Sequence, residues 1–369
     1  MPFSGENKVF IEDIINGMYD WVRVIDRNDY VIFMNKPMCE SLGLPSHPGM
    51  KCYEIIGRKS PCENCVSRQA AFDGAMHEKE EIINGRVYSV MSSPIKDSSG
   101  DITSVVEVLR DITESKEMHN KIIEQKEKLL DDLNIARKLQ CSLLPKKPPE
   151  DRLAFSYIYK PCESIGGDFI DIYKIDKNHT GIYIADVSGH GVSASMLTVF
   201  LRSSMDKTLL SPAKALEKLF KDYGKGNFEN DLYITVFYAI INLQEKKITF
   251  SNAGHNVAPI LFNKDKFNLL RTPGIPISNW LDQPGYTDKT LTLETGDRIF
   301  LYTDGIIEIR NSKGGIFGEE RLLSLLLGSN SEPNAILNEI FMRAVEFSEE
   351  TDASKISDDI TIALLEIKE

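Results

Sequence analysis

Ile182-Tyr183-Ile184-Ala185-Asp186-Val187-Ser188-Gly189-His190-Gly191 runs apolar up to a carboxylate and then turns abruptly small. The apolar half predicts a buried β-strand, and the glycines predict a tight turn in which no β-carbon obstructs the backbone. Leu301-Tyr302-Thr303-Asp304-Gly305 repeats the device, and Gly166-Gly167-Asp168 sets a third carboxylate just before a strand-like run. Asp358-Asp359 precedes a fourth such run at Ile360. One Asp at a strand end is ordinarily a turn former or helix cap. Four sites scattered over one domain are not explained by local turn chemistry. Carboxylates converging from strand ends form a hard, oxygen-only site suited to Mg²⁺ or Mn²⁺. Two such ions can activate water against a phosphate ester.

Around these sites, strand-like runs cover residues 153–159, 169–175, 180–187, 232–242, 247–252, 258–262, 298–303 and 360–367. Helical patterns cover residues 192–209, 212–223, 319–327 and 333–348. Strands clustered with few helices between them predict antiparallel sheets, packed face to face with helices outside.

The 369 residues are too many for one ordinary core and imply two or three domains. A net charge of −12 argues against nucleic acid and anionic membrane surfaces as partners. Residues 1–10 lack a basic-then-apolar leader, and no window is long and apolar enough to span a bilayer. Six cysteines without an export signal suit a reducing compartment, and a cytoplasmic protein is expected.

Residues 19–25 and 30–34 predict two strands, residues 36–42 and 64–73 helices, and residues 77–83, 86–94 and 102–111 three further strands. Asn84-Gly85 is a hairpin signal between the first two of those three. This order, ending in Asp111-Ile112-Thr113-Glu114, resembles a PAS sensor domain. Residues 113–144 lack Gly and Pro, and apolar residues step along them by threes and fours. One seam runs through Ile112, Ser115, His119, Ile122, Lys126, Leu129, Leu133, Ala136, Gln140 and Leu143, another through Met118, Ile122, Gln125, Leu129, Asp132, Ala136, Leu139 and Leu143, and both carry polar positions. A paired signalling helix is expected, giving a homodimer through sensor and linker; a single amphipathic helix on one domain is the alternative. The residues from Pro145 to Pro149 close it.

Within the sensor, Cys39, Cys52, Cys62 and Cys65 lie close in sequence, and Cys62-Glu63-Asn64-Cys65 is a C-x-x-C pair. They are candidates for structural or redox-reactive thiols, or for a Zn²⁺ or iron–sulfur site.

Gly166-Gly167-Asp168-Phe169, Asp186-Val187-Ser188-Gly189-His190-Gly191, Asn252-Ala253-Gly254-His255, Tyr302-Thr303-Asp304-Gly305-Ile306-Ile307-Glu308 and Asp358-Asp359-Ile360-Thr361 together carry a resemblance. They resemble the sporulation and stress-response branch of the bacterial PP2C-like (PPM) serine/threonine phosphatases. The resemblance implies an α+β chain: a PAS domain over residues 1–114, a coiled-coil linker over 115–145 and an αββα-sandwich phosphatase over 146–369. It also implies two Mn²⁺ or Mg²⁺ ions. Asp186 would bridge them, with the Val187 carbonyl on one, Asp304 and Asp358 completing the other, and Asp168 acting directly or through water. Asp359 is a further candidate metal residue, at the position where the wider family carries an Asn. A hydroxide held between the ions would attack phosphorus in line. The implied substrate is a phosphoserine or phosphothreonine on an anti-sigma-factor antagonist. An arginine expected near the first acidic motif is missing; between residues 159 and 169 only Lys160 is cationic. His190 reads as a general acid or a helix-start residue, and His255 as a shaping residue. The segment from Leu133 to Pro145 resembles the helix that regulates the metal site in that family. A kinase-like nucleotide loop at residues 186–191, or a catalytically silent scaffold, would share the same outline.

Overall fold

The computed structural model describes residues 5–148, 150–229, 231–264, 266–280, 282–328, 331–349 and 358–368, with side chains from residue 9 onward. Residues 1–4 and Pro149, which entered the expectations above, lie outside that set. The chain divides into two compact units, Met1–Leu129 and Leu130–Glu369. Among the described residues no helix is long and apolar enough to cross a membrane.

The first unit contains α1 (Gly5–Asn16), β1 (Trp21–Asp26), β2 (Val31–Met34), α2 (Lys36–Leu42), α3 (Cys52–Ile55), α4 (Val66–Asp73), β3 (His77–Ile83), β4 (Arg86–Lys96) and β5 (Ile102–Asp111). Its strands form one antiparallel sheet in the order β2-β1-β5-β4-β3. The two strands, helical middle and three-stranded meander anticipated from sequence are all present. Asn84 and Gly85 both take positive φ, 50° and 79°, as a two-residue hairpin demands. The four residues of α3 are too few to show a period. Trp21, Ile25, Val31, Met34 and Met38 belong to the apolar core.

A charged pair is also buried in this unit. Arg23 Nε donates to Glu107 Oε2 at 2.7 Å, and Glu107 also accepts from the Ser92 hydroxyl at 2.9 Å and from Ser67. Burial alone would push Glu107 up. The Arg23 guanidinium and the two hydroxyls outweigh it and hold the carboxyl below its ordinary range.

Helix α5 (Thr113–Leu143) follows. Met118, Ile122, Leu129 and Leu139 are exposed along it, whereas Gln140 near its end is buried. The second unit then contains β6 (Leu153–Lys160), β7 (Phe169–Lys174), β8 (His179–Val187), α6 (Gly191–Ser204), α7 (Pro212–Gly224), β9 (Ile234–Asn242), β10 (Lys247–Ala253), β11 (Ile260–Phe262), β12 (Phe267–Leu269), β13 (Lys289–Thr292), β14 (Arg298–Tyr302), α8 (Gly318–Gly328), α9 (Pro333–Ser348) and β15 (Ile360–Ile367). Two five-stranded sheets result, β13-β10-β9-β8-β7 and β12-β11-β14-β15-β6. Every strand pair in them is antiparallel.

Three apolar layers stack through this unit. Ile182, Ile184, Phe237 and Ile241 of one sheet meet Leu261, Ile299, Leu301 and Leu365 of the other. Tyr183, Ala185 and Tyr238 pack outward against Leu197, Leu201, Leu216 and Leu219 of α6 and α7. Phe300, Ile362 and Leu364 pack outward against Leu322, Leu326, Leu337 and Ile340 of α8 and α9. Each such side chain contributes roughly 1.5–3 kcal/mol on burial. Central strands are therefore apolar on both faces, and the layers are helix, sheet, sheet, helix. Helix α6 stops at Ser204 rather than near residue 209, because Asp206 Oδ1 accepts from Thr208 N at 2.9 Å in a side-chain-closed turn. The short strands β12 and β13 were not anticipated; both lie at sheet edges.

Glu107→Ala leaves the Arg23 guanidinium buried and unpaired. It is expected to destabilise the first unit by about 3–5 kcal/mol, seen in calorimetry as an earlier, separate melting transition.

Candidate metal centre

Four strand-end segments of the second unit supply the expected carboxylates, and backbone proximity dictates the glycines among them. A β-carbon on Gly167 would lie 2.8 Å from the Val187 carbonyl oxygen. One on Gly305 would collide with the Asp359 carbonyl. The loop before β7 and the end of β8 are thereby drawn together, and Val187 N donates to Gly167 O at 3.2 Å. Gly189 and Gly191 carry the chain from β8 into α6 at φ of 81° and 76°.

Asp359 behaves differently from its neighbours. Its Oδ2 accepts from Gly167 N at 2.5 Å and from Asp168 N at 3.4 Å, and its Oδ1 accepts from Cys162 N at 2.8 Å. This buried carboxylate pins the loop that carries Asp168. Asp168 is itself buried, and its Oδ2 accepts from the Thr303 hydroxyl at 2.7 Å. Asp304 begins a 3₁₀ turn after β14 and accepts from Asn256 Nδ2 at 2.5 Å. Asp358 is more exposed and accepts from the backbone N–H of Asp359 at 2.8 Å.

Burial and like charge act in the same direction here. Burial, then the charges of Asp304, Asp358 and Asp359, push Asp186 up to about 8. Burial, Asp186 and Asp359 push Asp168 well above the carboxylate range, against the Thr303 hydrogen bond. Burial also raises Asp358, with Asp304 contributing. Uncompensated carboxylates within electrostatic reach of one another fit a hard divalent cation in donor chemistry and charge. Among the described residues no three His, Cys, Asp or Glu side chains are grouped to hold an ion unaided. Mg²⁺ commonly binds through one or two carboxylates, with water filling the remaining positions.

Surrounding residues hold this arrangement in place. Asn252 Oδ1 accepts from His255 N at 2.7 Å, and Gly254 takes φ 73°, which closes the Asn-Ala-Gly-His turn. His255 is buried, and its Nε2 donates to the Tyr302 carbonyl at 3.0 Å; burial pushes its pKa down to about 4. It therefore ties the β10 turn to the strand end that presents Asp304, which is a shaping role. His190 is exposed at the start of α6, with Nδ1 2.9 Å from Glu163 Oε1. Lys160 lies exposed at the end of β6, opposite Ile360. Gln140 of α5 donates from Nε2 to Gly166 O at 2.7 Å. Its Oε1 accepts from Gly166 N at 3.2 Å and from the Tyr159 hydroxyl at 3.1 Å. The sequence expectations had not assigned roles to Gln140, Thr303, Asn256 or Tyr159. Thr303 lies within a quoted motif, Asn256 directly follows another, and Gln140 lies on one of the two candidate seams.

Residues 176–368 match the family model described as Stage II sporulation protein E (SpoIIE), which is more than half of the chain, and the chain belongs to that family. It is 29% identical over 246 residues to the phosphoserine phosphatase RsbP of Bacillus subtilis, covering 64% of this chain and 58% of that protein. It is 31% identical over 188 residues to the phosphoserine phosphatase RsbU of the same organism, covering 50% and 55%. The chain thus spans little more than half the length of these relatives. Among solved structures it is similar to the PP2C domain of SiaA from Pseudomonas aeruginosa, with a TM-score of 0.58 and 20% identity, covering 66% of this chain and 98% of that one. A fragment of SpoIIE from B. subtilis holding its PP2C phosphatase domain gives a TM-score of 0.50 at 14% identity, covering 79% and 82%. The second unit has the PP2C fold, and a kinase-like loop at residues 186–191 is set aside.

Two outcomes are expected. Folded Asp186 keeps its proton up to about 8, against 3.8 ordinarily, so its contribution to stability is fullest below about 4 and is lost as pH rises through about 8. In chelator-treated protein the second unit should melt at lower temperature as pH is raised from about 5 to 8. Mn²⁺ should restore more stability at the upper end, and Asp186→Asn should flatten both effects. Gln140→Ala strips Gly166 of partners for its N–H and C=O, a loss of about 1–3 kcal/mol. It should lower turnover while circular dichroism of the second unit stays unchanged.

Proposed function

We propose that this SpoIIE-family chain is a divalent-metal-dependent protein phosphatase. It hydrolyses phosphoserine or phosphothreonine on an anti-sigma-factor antagonist, under the control of a PAS-type sensor at its N-terminus. The observation that carries the proposal is the cross-tying of the four strand ends that bear Asp168, Asp186, Asp304 and Asp358, through Val187 N to Gly167 O, the Thr303 hydroxyl to Asp168 and the Gly167 amide to Asp359. The names of the relatives support the reaction class, and the five-stranded sheet with its helical middle supports the sensor.

Asp186, Asp304 and Asp358, with the Val187 carbonyl, would hold Mn²⁺ or Mg²⁺. Such ions supply charge stabilisation at the phosphoryl group and an acidified water. The chain's own residues do the rest. Thr303 orients the Asp168 carboxyl through its hydroxyl, and Asn256 orients Asp304. Asp359 fixes the loop between them through three amide hydrogen bonds; this loop-holding role is the one we assign it, in place of a ligand. The exposed stripe Met118, Ile122, Leu129 and Leu139 on α5 supports pairing with a second copy of the chain.

The test uses the full chain and p-nitrophenyl phosphate. Mn²⁺-dependent release of p-nitrophenol is expected, removed by chelator and lowered at least about a hundredfold by Asp186→Ala. Absence of hydrolysis by the unaltered chain with either metal, on this ester and on a phosphoserine protein alike, would favour a silent scaffold.

A further inference from the structure

The phosphatase reading leaves the sensor cysteines without a role. Three of the four expected residues, Cys52, Cys62 and Cys65, line one internal cavity of the first unit, between α3, α4 and the sheet. Cys39 does not join them: it lies on α2, with its sulfur 3.6 Å from the Met34 carbonyl. The cavity is about 20 Å³, room for one water molecule and no organic ligand. Among the described residues no three of these side chains have the spacing to hold a metal ion.

The three thiols are not equivalent. Cys52 is buried, its carbonyl accepts from Arg23 Nη1 at 2.8 Å, and burial pushes its thiol up to about 11. Cys62 is half-buried and lines a second, outer groove as well, together with Arg58, Lys59, Lys79, Glu63, Glu80 and Glu81. Oxidant can reach it there. Glu81 is already taken up by Arg58 and Lys79, and Lys79 lines both the cavity and the outer groove together with Cys62. Cys65 occupies the N-cap position of α4, and the chain bends at Glu63 and Asn64 between the two. A position beside a lysine and another at a helix start are environments in which cysteine reacts.

We propose that Cys62 and Cys65 form a reversible dithiol–disulfide site that reads a peroxide, with Cys52 remaining reduced behind them. The Cys62 thiolate attacks one oxygen of hydrogen peroxide; an S–O bond forms, the O–O bond breaks, and the departing hydroxide takes a proton to become water. Sulfur is oxidised by two electrons and the peroxide is reduced. The Cys65 thiol then attacks the sulfenic sulfur; an S–S bond forms, the S–O bond breaks, and a second water leaves. A dithiol reductant reverses the change.

The experiment treats the full reduced chain with graded hydrogen peroxide, blocks remaining thiols with N-ethylmaleimide, and maps peptides by mass spectrometry. Exposed Cys141 serves as the internal reference. The expected product is two hydrogens lighter, carries a Cys62–Cys65 linkage, and regains both thiols with dithiothreitol, at doses that leave Cys141 free. Cys65→Ser should stop at a sulfenic acid on Cys62, trapped by dimedone, and Cys62→Ser should leave Cys65 free. Three results would overturn the proposal: oxidation of Cys62 no faster than Cys141, a linkage to any other cysteine, or a stoichiometric metal ion that blocks alkylation of the three thiols. Either serine variant reports independently should the other fail to fold.

Discussion

Repulsion between carboxylates is the constraint around which the second unit is organised. Asp168, Asp186, Asp304 and Asp358 come from the start of β7, the end of β8, the end of β14 and the start of β15, and burial with neighbouring carboxylate charge raises the proton affinity of Asp168, Asp186 and Asp358. Left to themselves such groups would separate into water. A two-sheet core with apolar side chains on both faces of its central strands supplies the opposing energy, because each strand end is fixed by the burial of the whole strand. The site is the place where that stability is spent.

Rigidity at the strand ends comes from backbone contacts that only particular residues permit. Gly167 and Gly305 admit neighbouring carbonyls where a β-carbon would collide. Asp359 then bonds across the gap, holding amides nearly two hundred positions earlier in the chain. Thr303 works from the opposite side, taking Thr361 N at 3.0 Å on the hydroxyl that it donates to Asp168. Loop and strand ends are thus cross-tied through hydrogen bonds to charged acceptors, the stronger class.

Strands were legible wherever burial imposes a pattern. The expected and observed bounds coincide for His77–Ile83, Ile102–Asp111 and Ile360–Ile367, each a long run ended by turn residues. Short edge strands such as β12 carry no such pattern. The carboxylates were legible because each borders an apolar run, Asp186 and Asp304 at its close and Asp168 and Asp358 just before it. The amide bonds that Asp359 makes to the loop were not, since adjacent residues entering a strand face opposite ways and sequence does not say which face meets the loop. Cys39 shows the same limit: four cysteines near in sequence suggested one cluster, but α2 carries Cys39 to a separate place.

Gln140 shows how a helix can be read by a catalytic loop. On a heptad pattern a glutamine in a seam is a flaw, yet here it is buried against Gly166 and Tyr159, and its amide satisfies both backbone groups of that glycine. An axial slide of α5 by one residue is about 1.5 Å, enough to carry both bonds beyond the range in which hydrogen bonds retain strength. Rotation by one residue would turn the amide about 100° away. Gly166 would then be left with an orphaned donor and acceptor two residues before Asp168. The alternatives open to the loop are to follow the helix or to release its hold on the carboxylate. Because Asp168 is already held against charge repulsion, the loss of a tie of this size is felt first at the site, while Leu143 and Leu144 keep the helix end packed on the core of the sandwich.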